Sequence, residues 1–178
     1  YESPPLLQSL DVINRESHNF FAESVFKTLG RVAGGEGTFD GGRQVVGSFL
    51  NSFAGVPGTQ VSQRDGSGLS PSNQASARSF VQLLEATYGS AQKEDFLGTL
   101  PVAGKRRELG RMYQTPAAGN LRAKTGTIER VSALSGYVTS ADGEPIAFSL
   151  ISNGIRSRSV AKRLEDRLGT ALSAYRRN

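Results

Sequence analysis

The sequence predicts an α+β fold in which helices flank an antiparallel sheet. Helical patterns occupy the first half of the chain, strand patterns joined by short turns follow, and an amphipathic helical pattern closes it. Strands joined by short turns pair antiparallel, and helices grouped beside such strands are typical of the α+β class. The 178 residues are enough for one domain, or for a large part of one.

The first part of the chain is predicted to be helical. Apolar residues at helical spacing run from Leu6 to about Leu29, with a break near Ser17. Gly30 and the glycines that follow it are expected to end this pattern. A second helix is predicted over residues 42–53, because their apolar side chains fall on one face.

The middle of the chain carries shorter elements. Residues 59–63 resemble a short strand, and Asp-Gly-Ser-Gly at 65–68 a tight turn. Ser76 is the predicted N-cap of a helix over residues 77–88, since its hydroxyl can accept a hydrogen bond from the first turn. Residues 107–113 have a weakly helical pattern.

The second half is predicted to contain the sheet. A strand is expected over residues 120–124, and two more over residues 131–139 and 145–152, joined by a Ser-Ala-Asp-Gly turn. A final helix is expected from about Ser157 to Tyr175. Its apolar stripe, which predicts the buried face, consists of Val160, Leu164, Leu168 and Leu172.

The charge of the chain favours anionic partners. There are 21 lysines and arginines against 16 acidic residues, a net charge of +5 at pH 7. Nucleic acid is not an expected partner, because the basic residues are not interleaved with aromatic ones and no nucleic-acid motif occurs. Near the C-terminus the positive charge alternates with Glu165 and Asp166, as is typical of a solvated helix face.

The residue types present narrow the chemistry. The chain has no cysteine and a single histidine, His18, so neither a disulfide nor a metal site is expected, and no organic cofactor is predicted. No apolar run approaches the roughly 18 residues that a membrane span requires. Because the chain begins with Tyr1 and not with methionine, we expect it to be processed or excised, and its start carries no information on targeting.

Two short motifs point to a reaction. Lys-Thr-Gly at residues 124–126 directly precedes the last two predicted strands, and Ser-His-Asn at residues 17–19 lies within the first helical pattern. Together they match two of the three signatures of penicillin-binding enzymes and serine β-lactamases, which are Ser-x-x-Lys, Ser-x-Asn and Lys-Thr-Gly. The Ser-x-x-Lys portion that carries the nucleophile is expected upstream of Tyr1, outside this chain.

Longer stretches extend the match in the same order along the chain. They are Arg-Asp-Gly-Ser-Gly-Leu-Ser at 64–70, Leu-Pro-Val-Ala-Gly at 100–104, Thr-Pro-Ala-Ala-Gly at 115–119 and Arg-Ala-Lys-Thr-Gly-Thr at 122–127. With them the chain resembles the D-alanyl-D-alanine carboxypeptidase/endopeptidases, the class C penicillin-binding proteins of low molecular mass. The resemblance implies a β-lactamase/transpeptidase-like fold, of which residues 1–178 would be the C-terminal part of one catalytic domain.

The resemblance also implies roles for three catalytic residues. Ser17 would relay a proton between the base of the nucleophile and the leaving amine, since a hydroxyl both donates and accepts. Asn19 would bond the peptide carbonyl of the substrate. Lys124 would supply positive charge to the cleft, where it favours a deprotonated neighbour and attracts the terminal carboxylate of the substrate.

Three further residues would bind the substrate. The resemblance implies that Thr125 bonds the terminal carboxylate and that Gly126, without a side chain, lets a peptide lie against the strand. The backbone N–H of Thr127 would form half of the oxyanion hole. His18 beside Ser17 also suggests a Ser–His pair, but a triad requires an orienting carboxylate and a nucleophile elbow, and no Gly-x-Ser-x-Gly occurs.

The function implied is that of a serine D,D-peptidase of the periplasm or another extracytoplasmic part of the cell envelope. It would cleave D-Ala-D-Ala ends or D,D-crosslinks of peptidoglycan through an acyl-enzyme, and β-lactams would acylate the same serine. Expected partners are peptidoglycan stem peptides, β-lactam antibiotics and the upstream part of the same protein. The chain alone is expected to be inactive. The alternative is a non-catalytic wall-binding module that keeps the pocket without the nucleophile.

Overall fold

The structure, a computed structural model, describes residues 3–177 and contains two compact units. The helical unit ends at Thr99 and the sheet unit begins at Leu100. The α+β class with antiparallel strands and flanking helices is confirmed. None of the helices in the described range is long and apolar enough to cross a bilayer.

The helical unit follows most of the predicted boundaries. The break at Ser17 separates two helices, and Ser76 caps the helix that follows it, its hydroxyl accepting a hydrogen bond from the Ser79 N–H at 3.0 Å. The predicted strand over residues 59–63 is shorter, because a 3₁₀ turn takes up Gly58–Gln60. The elements in chain order are α1 (Leu6–Glu16), α2 (Asn19–Gly34), α3 (Phe39–Ala54), β1 (Val61–Ser62), β2 (Gln74–Ala75), α4 (Ala77–Tyr88) and α5 (Lys93–Thr99), with β1 and β2 paired antiparallel.

The prediction that glycines end the first helical pattern is confirmed for Gly34 and Gly35 but wrong for Gly30. Helix α2 continues through Gly30 and ends at Gly34, where Gly35 adopts a left-handed conformation with φ 82°. Gly30 serves a different purpose, since a β-carbon there would lie 2.6 Å from the Gly42 nitrogen on α3. Glycine therefore lets two helix backbones pack closely at this point.

The sheet unit contains three strands and one helix among its described residues. They are β3 (Arg122–Ile128), β4 (Val131–Thr139), β5 (Pro145–Asn153) and α6 (Arg158–Ala174). The strands lie in the order β3–β4–β5 and both pairings are antiparallel, which confirms the predicted meander. Strand β3 begins two residues later and ends four residues beyond the prediction, so Lys-Thr-Gly lies inside the strand.

One continuous apolar core fills the space between the sheet and α6. Residues 107–113, predicted to be weakly helical, form turns that bring Leu109 and Met112 into this core. The turns are fixed by the Gly104 N–H, which donates to the carbonyls of Leu109 and Arg111 at 2.8 Å each. The buried core comprises Ala103, Leu109, Met112, Ala117, Leu121, Ala123, Leu134, Val138 and Phe148.

Helix α6 is rotated relative to the predicted orientation. Val160 and Leu164 are 55% and 48% exposed, and only Leu168 and Leu172 of the apolar stripe pack against the core. The fully inward positions are one residue further along the chain: Ala161, Glu165, Gly169 and Ser173. The small residues allow a close approach, since a β-carbon on Gly169 would lie 2.7 Å from Leu121 and 2.8 Å from Met112. Close packing of small residues has overridden the apolar periodicity.

Candidate active site

The Ser-His-Asn motif forms the corner between α1 and α2. Ser17 has φ 55° and ψ 45°, the left-handed region that residues other than glycine rarely adopt. His18 caps α2, because its Nδ1 accepts a hydrogen bond from the Phe21 N–H at 3.3 Å. Asn19 is the first residue of α2, and all three motif residues are exposed. The cap accounts for His18 without a catalytic role.

The corner is anchored from the α1 side. The Asn14 amide donates to the hydroxyl of Thr99 at 2.7 Å, and the Arg15 guanidinium donates to the carbonyl of Gly98, both at the end of α5. Arg15 also pairs with Asp11 at 2.6 Å. Asn14 and Arg15, three and two positions before Ser17, are therefore tied to a second helix. These contacts support the strained left-handed backbone of Ser17.

Lys-Thr-Gly lies where one edge of the sheet becomes open. The beginning of β3 is covered by residues 101–103: the Ala103 N–H donates to the Leu121 carbonyl at 2.9 Å, and the Ala123 N–H donates to the Pro101 carbonyl at 3.0 Å. From Lys124 onward, β3 pairs only with β4 among the described residues. An open edge of this kind can accept an extended peptide as an added strand.

The side chains of β3 divide between the two faces of the sheet. In the register with β4, Lys124 lies opposite Ser135 and Thr125 lies opposite Leu134, so Lys124 and Gly126 share one face while Thr125 and Thr127 share the other. A β-carbon at Gly126 would meet only Ala133, at an ordinary 3.5 Å. Packing within the chain therefore does not require glycine at residue 126, and its absent side chain leaves room for a ligand.

Lys124 is half-buried and its ammonium donates to the carbonyl of Thr125 at 2.9 Å. Burial lowers the pKa of Lys124 below its ordinary 10.5, and the positive charge of Lys162 on α6 lowers this pKa further. A perturbed lysine on an open strand edge is a typical feature of a binding or catalytic site.

A buried ionic cluster holds α6 against β4, and the sequence did not predict it. Glu165 is fully buried, and its carboxylate accepts hydrogen bonds from Ser132 at 2.5 Å, Arg111 at 2.7 Å and Lys162 at 3.2 Å. The prediction that Glu165 lies on a solvated face is therefore wrong. The signal in the sequence was the spacing of Glu165 with small residues four positions before and after it.

Asp166 lies at the edge of this cluster. Arg111 Nη1 is 2.9 Å from Asp166 Oδ1, close enough for an ion pair but without hydrogen-bond geometry. Burial raises the pKa of Asp166 above its ordinary 3.8, while Arg111 opposes this shift. Of the residues in this cluster, Lys162 is the one whose charge acts on the pKa of Lys124.

The Ser-x-x-Lys pattern, expected only upstream of Tyr1, in fact occurs three times in the chain. It is found at residues 24–27, 90–93 and 159–162, all of them after Ser17, whereas the nucleophile is expected upstream of Tyr1 and so before Ser17. Sequence reasoning missed these three patterns, so their chemistry depends on the contacts of each serine and lysine.

None of the three pairs has a serine–lysine hydrogen bond. The hydroxyl of Ser24 donates to the Phe20 carbonyl at 2.8 Å, and that of Ser90 donates to the Thr87 carbonyl at 2.8 Å. Ser159 contacts the hydroxyl of Ser157 at 3.0 Å. The lysines bind elsewhere: Lys27 lies over the ring of Phe39, Lys93 over the ring of Tyr88, and Lys162 pairs with Glu165. A nucleophile needs its base within hydrogen-bond reach, so none of these serines is arranged as one.

The candidate residues fall into both units. Ser17 and Asn19 belong to the helical unit, whereas Lys124, Thr125, Gly126 and Thr127 belong to the sheet unit. Their convergence on a common point within roughly 3–6 Å, as hydrogen bonding to one substrate requires, stays a prediction. No group of three or more histidine, aspartate or glutamate side chains suited to a metal ion occurs among residues 3–177.

The chain is similar to known proteins along nearly its whole length. The profile of the family described as "D-Ala-D-Ala carboxypeptidase 3 (S13) family" matches residues 1–175. A D-alanyl-D-alanine carboxypeptidase of Actinomadura sp. (strain R39) is 35% identical over 181 residues, which cover 98% of this chain and 33% of that protein. D-alanyl-D-alanine carboxypeptidase DacB of Haemophilus influenzae is 30% identical over 85% of this chain and 32% of its own length. The chain thus spans about a third of the length of these relatives.

Solved structures show the same fold. The crystal structure of penicillin binding protein 4 (dacB) from Haemophilus influenzae matches with a TM-score of 0.86 at 28% identity, covering 97% of this chain and 41% of that one. The same protein complexed with a β-lactam matches with a TM-score of 0.84 at 27% identity. The transpeptidase-like fold expected from the motifs is therefore confirmed.

Proposed function

Because the chain belongs to the D-Ala-D-Ala carboxypeptidase 3 (S13) family, we propose that it is the C-terminal part of the catalytic domain of a serine-type D,D-peptidase. The protein would cleave D-Ala-D-Ala ends or D,D-crosslinks of peptidoglycan through an acyl-enzyme, and β-lactams would acylate the same serine. Support comes from the relatives named as D-alanyl-D-alanine carboxypeptidases and from the related penicillin binding protein complexed with a β-lactam.

Substrate binding is assigned to the open edge of β3, and this is the observation that carries the proposal. The edge opens at Lys124, whose ammonium has a lowered pKa. Packing within the chain would allow a side chain at residue 126, yet glycine occupies it. An extended peptide would bond the strand backbone, Thr125 would bond its terminal carboxylate, and the N–H of Thr127 would stabilise the oxyanion.

Proton transfer is assigned to the corner between α1 and α2. The hydroxyl of Ser17 would pass a proton from the base beside the nucleophile to the leaving amine, and the amide of Asn19 would hold the peptide carbonyl. The corner is exposed and braced by α5 through Asn14 and Arg15. Bracing of this kind would keep the Ser17 hydroxyl at a fixed distance from the groups between which it passes the proton.

The partners and location follow from the substrate. Peptidoglycan stem peptides carry carboxylates, and the net charge of +5 favours them electrostatically. Peptidoglycan lies outside the cytoplasm, so we place the protein in the periplasm or another extracytoplasmic part of the envelope. The upstream part of the same protein would supply the nucleophile and its lysine.

Mass spectrometry after incubation with a β-lactam tests the proposal. The 178-residue chain and a longer protein that also contains the upstream segment are incubated in parallel, and adducts are mapped by peptide digestion. We expect a stoichiometric adduct only on the longer protein, on a serine upstream of Tyr1, since none of the three Ser-x-x-Lys serines of the chain bonds its lysine.

Two other outcomes would overturn it. An adduct on the 178-residue chain, at Ser17, Ser67, Ser24, Ser90 or Ser159, would mean that the chain carries its own nucleophile. Failure of the longer protein to react, combined with retained binding of a D-Ala-D-Ala peptide, would favour the non-catalytic wall-binding module.

A further inference from the structure

The loop that follows β1 is held almost entirely by side-chain acceptors. Of the seven residues 64–70, six have a backbone N–H that donates to a side-chain atom and not to another backbone carbonyl. Asp65 provides two of these acceptors inside the loop, to Gly68 at 2.8 Å and to Ser70 at 2.6 Å. Asn73 provides another, to Arg64 at 2.6 Å. The loop therefore has a defined shape despite its lack of regular structure.

A single side chain outside the loop fixes where this shape is placed. The carboxylate of Glu23 on α2 accepts the Gly66 N–H at 2.9 Å through one oxygen and the Ser67 N–H at 3.2 Å through the other. These are long-range contacts, 43 and 44 residues apart in the chain. Two hydrogen bonds to one carboxylate define both position and orientation, and ionised acceptors give stronger bonds than neutral ones.

The backbone of the loop also lies directly on α2. A β-carbon at Gly66 would come within 2.5 Å of the Phe26 β-carbon and 2.7 Å of the Ala22 carbonyl oxygen. Only glycine fits at this distance. The contact between the loop and α2 therefore depends both on the Glu23 carboxylate and on the lack of a side chain at Gly66.

The face of α2 that receives the loop is the face of Asn19. Ala22, Glu23 and Phe26 follow Asn19 by three, four and seven residues, the spacing of one side of a helix. The loop is therefore seated on the helical turn next to Asn19, on the side of the helix from which the Asn19 side chain projects. The contacts of the loop with Ala22, Glu23 and Phe26 thus lie one to two helical turns from Asn19 on this face.

We propose that Glu23 is a positioning residue, which sets the 64–70 loop as a wall on the Asn19 side of the substrate site. This inference rests on the proposed function, because it assumes that Asn19 holds the peptide carbonyl. Glu23 acts through the loop and takes no proton and forms no bond in the reaction. A loop displaced by about 1 Å would misplace the acyl donor, and misplacements of that size cost up to about 100-fold in rate.

Second-order acylation rates of a β-lactam test the inference in the longer protein that contains the nucleophile. The Glu23→Gln variant keeps the size of the side chain but replaces one acceptor oxygen with an NH₂ donor that faces an N–H. We expect acylation to slow at least about tenfold at 25 °C, with the melting temperature lowered by only a few degrees. Glu23→Asp keeps both oxygens on a shorter side chain and should recover part of the rate.

Two further variants separate positioning from general weakening of the protein. Gly66→Ala keeps the charge of Glu23 but displaces the loop sterically, so it should slow acylation as Glu23→Gln does. Glu85→Gln is the matched control, since Glu85 is an exposed glutamate on α4 whose side chain makes no hydrogen bond in the described part of the chain. Its acylation rate should equal that of the unmodified protein.

The outcomes distinguish this inference from the proposed function. If the unmodified longer protein is not acylated, the proposed function fails. If it is acylated and Glu23→Gln and Gly66→Ala react at the unmodified rate while melting earlier, Glu23 is a stabilising residue only and the inference fails. Slow acylation in both variants, partial recovery in Glu23→Asp and no change in Glu85→Gln would establish it.

Discussion

Glu23 in the helical unit holds the 64–70 loop and Glu165 in the sheet unit holds α6 against β4, but the two carboxylates do so by different physical means. Glu23 is half-buried and accepts two uncharged backbone N–H groups from a loop. Glu165 is fully buried and accepts from a hydroxyl and two cations, Arg111 and Lys162. The helical unit therefore positions its loop with a contact that water can partly replace, whereas the sheet unit depends on a carboxylate that is fully buried beneath partly exposed cations.

The difference indicates what each contact contributes. Removing a buried acceptor takes one carboxylate away from its cationic partners, and the penalty falls on the stability of the whole unit. Removing a half-exposed acceptor lets water bond the freed N–H groups, so stability changes little while the loop loses its defined position. Glu165 should thus control folding, and Glu23 should control reactivity.

The largest expected effect is that of Glu165→Ala. The substitution leaves Arg111, Lys162 and Ser132 without their common acceptor, and breaking a buried ion pair typically costs about 3–5 kcal/mol. Denaturant unfolding of the longer protein measures the loss. Glu129→Ala is the control, because Glu129 is exposed in the turn between β3 and β4. A loss below about 1 kcal/mol for Glu165→Ala would show that the cluster does not stabilise the unit and would remove the contrast with Glu23.

An intermediate effect is expected from alanine at two glycines of the sheet. A β-carbon at Gly136 would clash with the Arg122 carbonyl and lie 2.6 Å from the Ala123 α-carbon, so Gly136→Ala should force β3 and β4 apart and cost about 1–3 kcal/mol. At Gly126 the nearest atom is Ala133 at 3.5 Å, so Gly126→Ala should leave the unfolding free energy nearly unchanged but slow acylation by a β-lactam. Equal losses of stability in both variants would indicate that Gly126 is a packing residue.

The sequence predicted the elements whose signals are local. The Ser76 cap, the break at Ser17 and the two strands joined by a short turn depend on neighbours within a few residues, and the structure has them at or near the predicted positions. The orientation of α6 was wrong, because the apolar stripe predicts burial from hydrophobicity alone. Small residues around Glu165 allow a closer contact with the sheet and bring a carboxylate to the centre of the interface, while Leu164 of the stripe stays exposed.

The sequence predicted the motif residues of the candidate site but not the residues that position them. Glu23 lies four residues after Asn19, yet its partners are 43 and 44 residues away, and nothing in the local pattern connects them. Gly30 was interpreted as a helix end because glycine has that local preference, whereas its contact with α3 is tertiary. The three Ser-x-x-Lys patterns show the opposite error. A motif of two residues recurs by chance, and the hydrogen bonds of its serine and lysine decide whether it can be catalytic.

The smallest expected effect concerns the pH dependence of acylation and tests whether the Glu165 cluster influences Lys124 at all. Burial, and then the charge of Lys162, holds the pKa of Lys124 below 10.5. Between this lowered pKa and 10.5, the folded protein binds fewer protons than the unfolded chain. The free energy of unfolding therefore rises with pH across this window. Below the window, where Lys124 is protonated in both states, its burial destabilises the folded protein by the full amount. Since the charge of Lys124 attracts the carboxylate of the ligand, acylation should weaken as pH rises through the lowered pKa.

The substitution Lys162→Met removes the charge that lowers the pKa of Lys124 but leaves Lys124 buried. The pKa of Lys124 should therefore rise part of the way towards 10.5, and the alkaline limb of the acylation rate should move to higher pH. Arg163→Met removes a charge from the neighbouring, exposed position of α6 and serves as the control. An alkaline limb that moves equally in both variants would reflect the net charge of the protein, and one that moves in neither would show that burial alone sets the pKa of Lys124. A shift confined to Lys162→Met would mean that Lys162, besides pairing with the buried Glu165, contributes to the lowered pKa of the lysine at the open edge of β3.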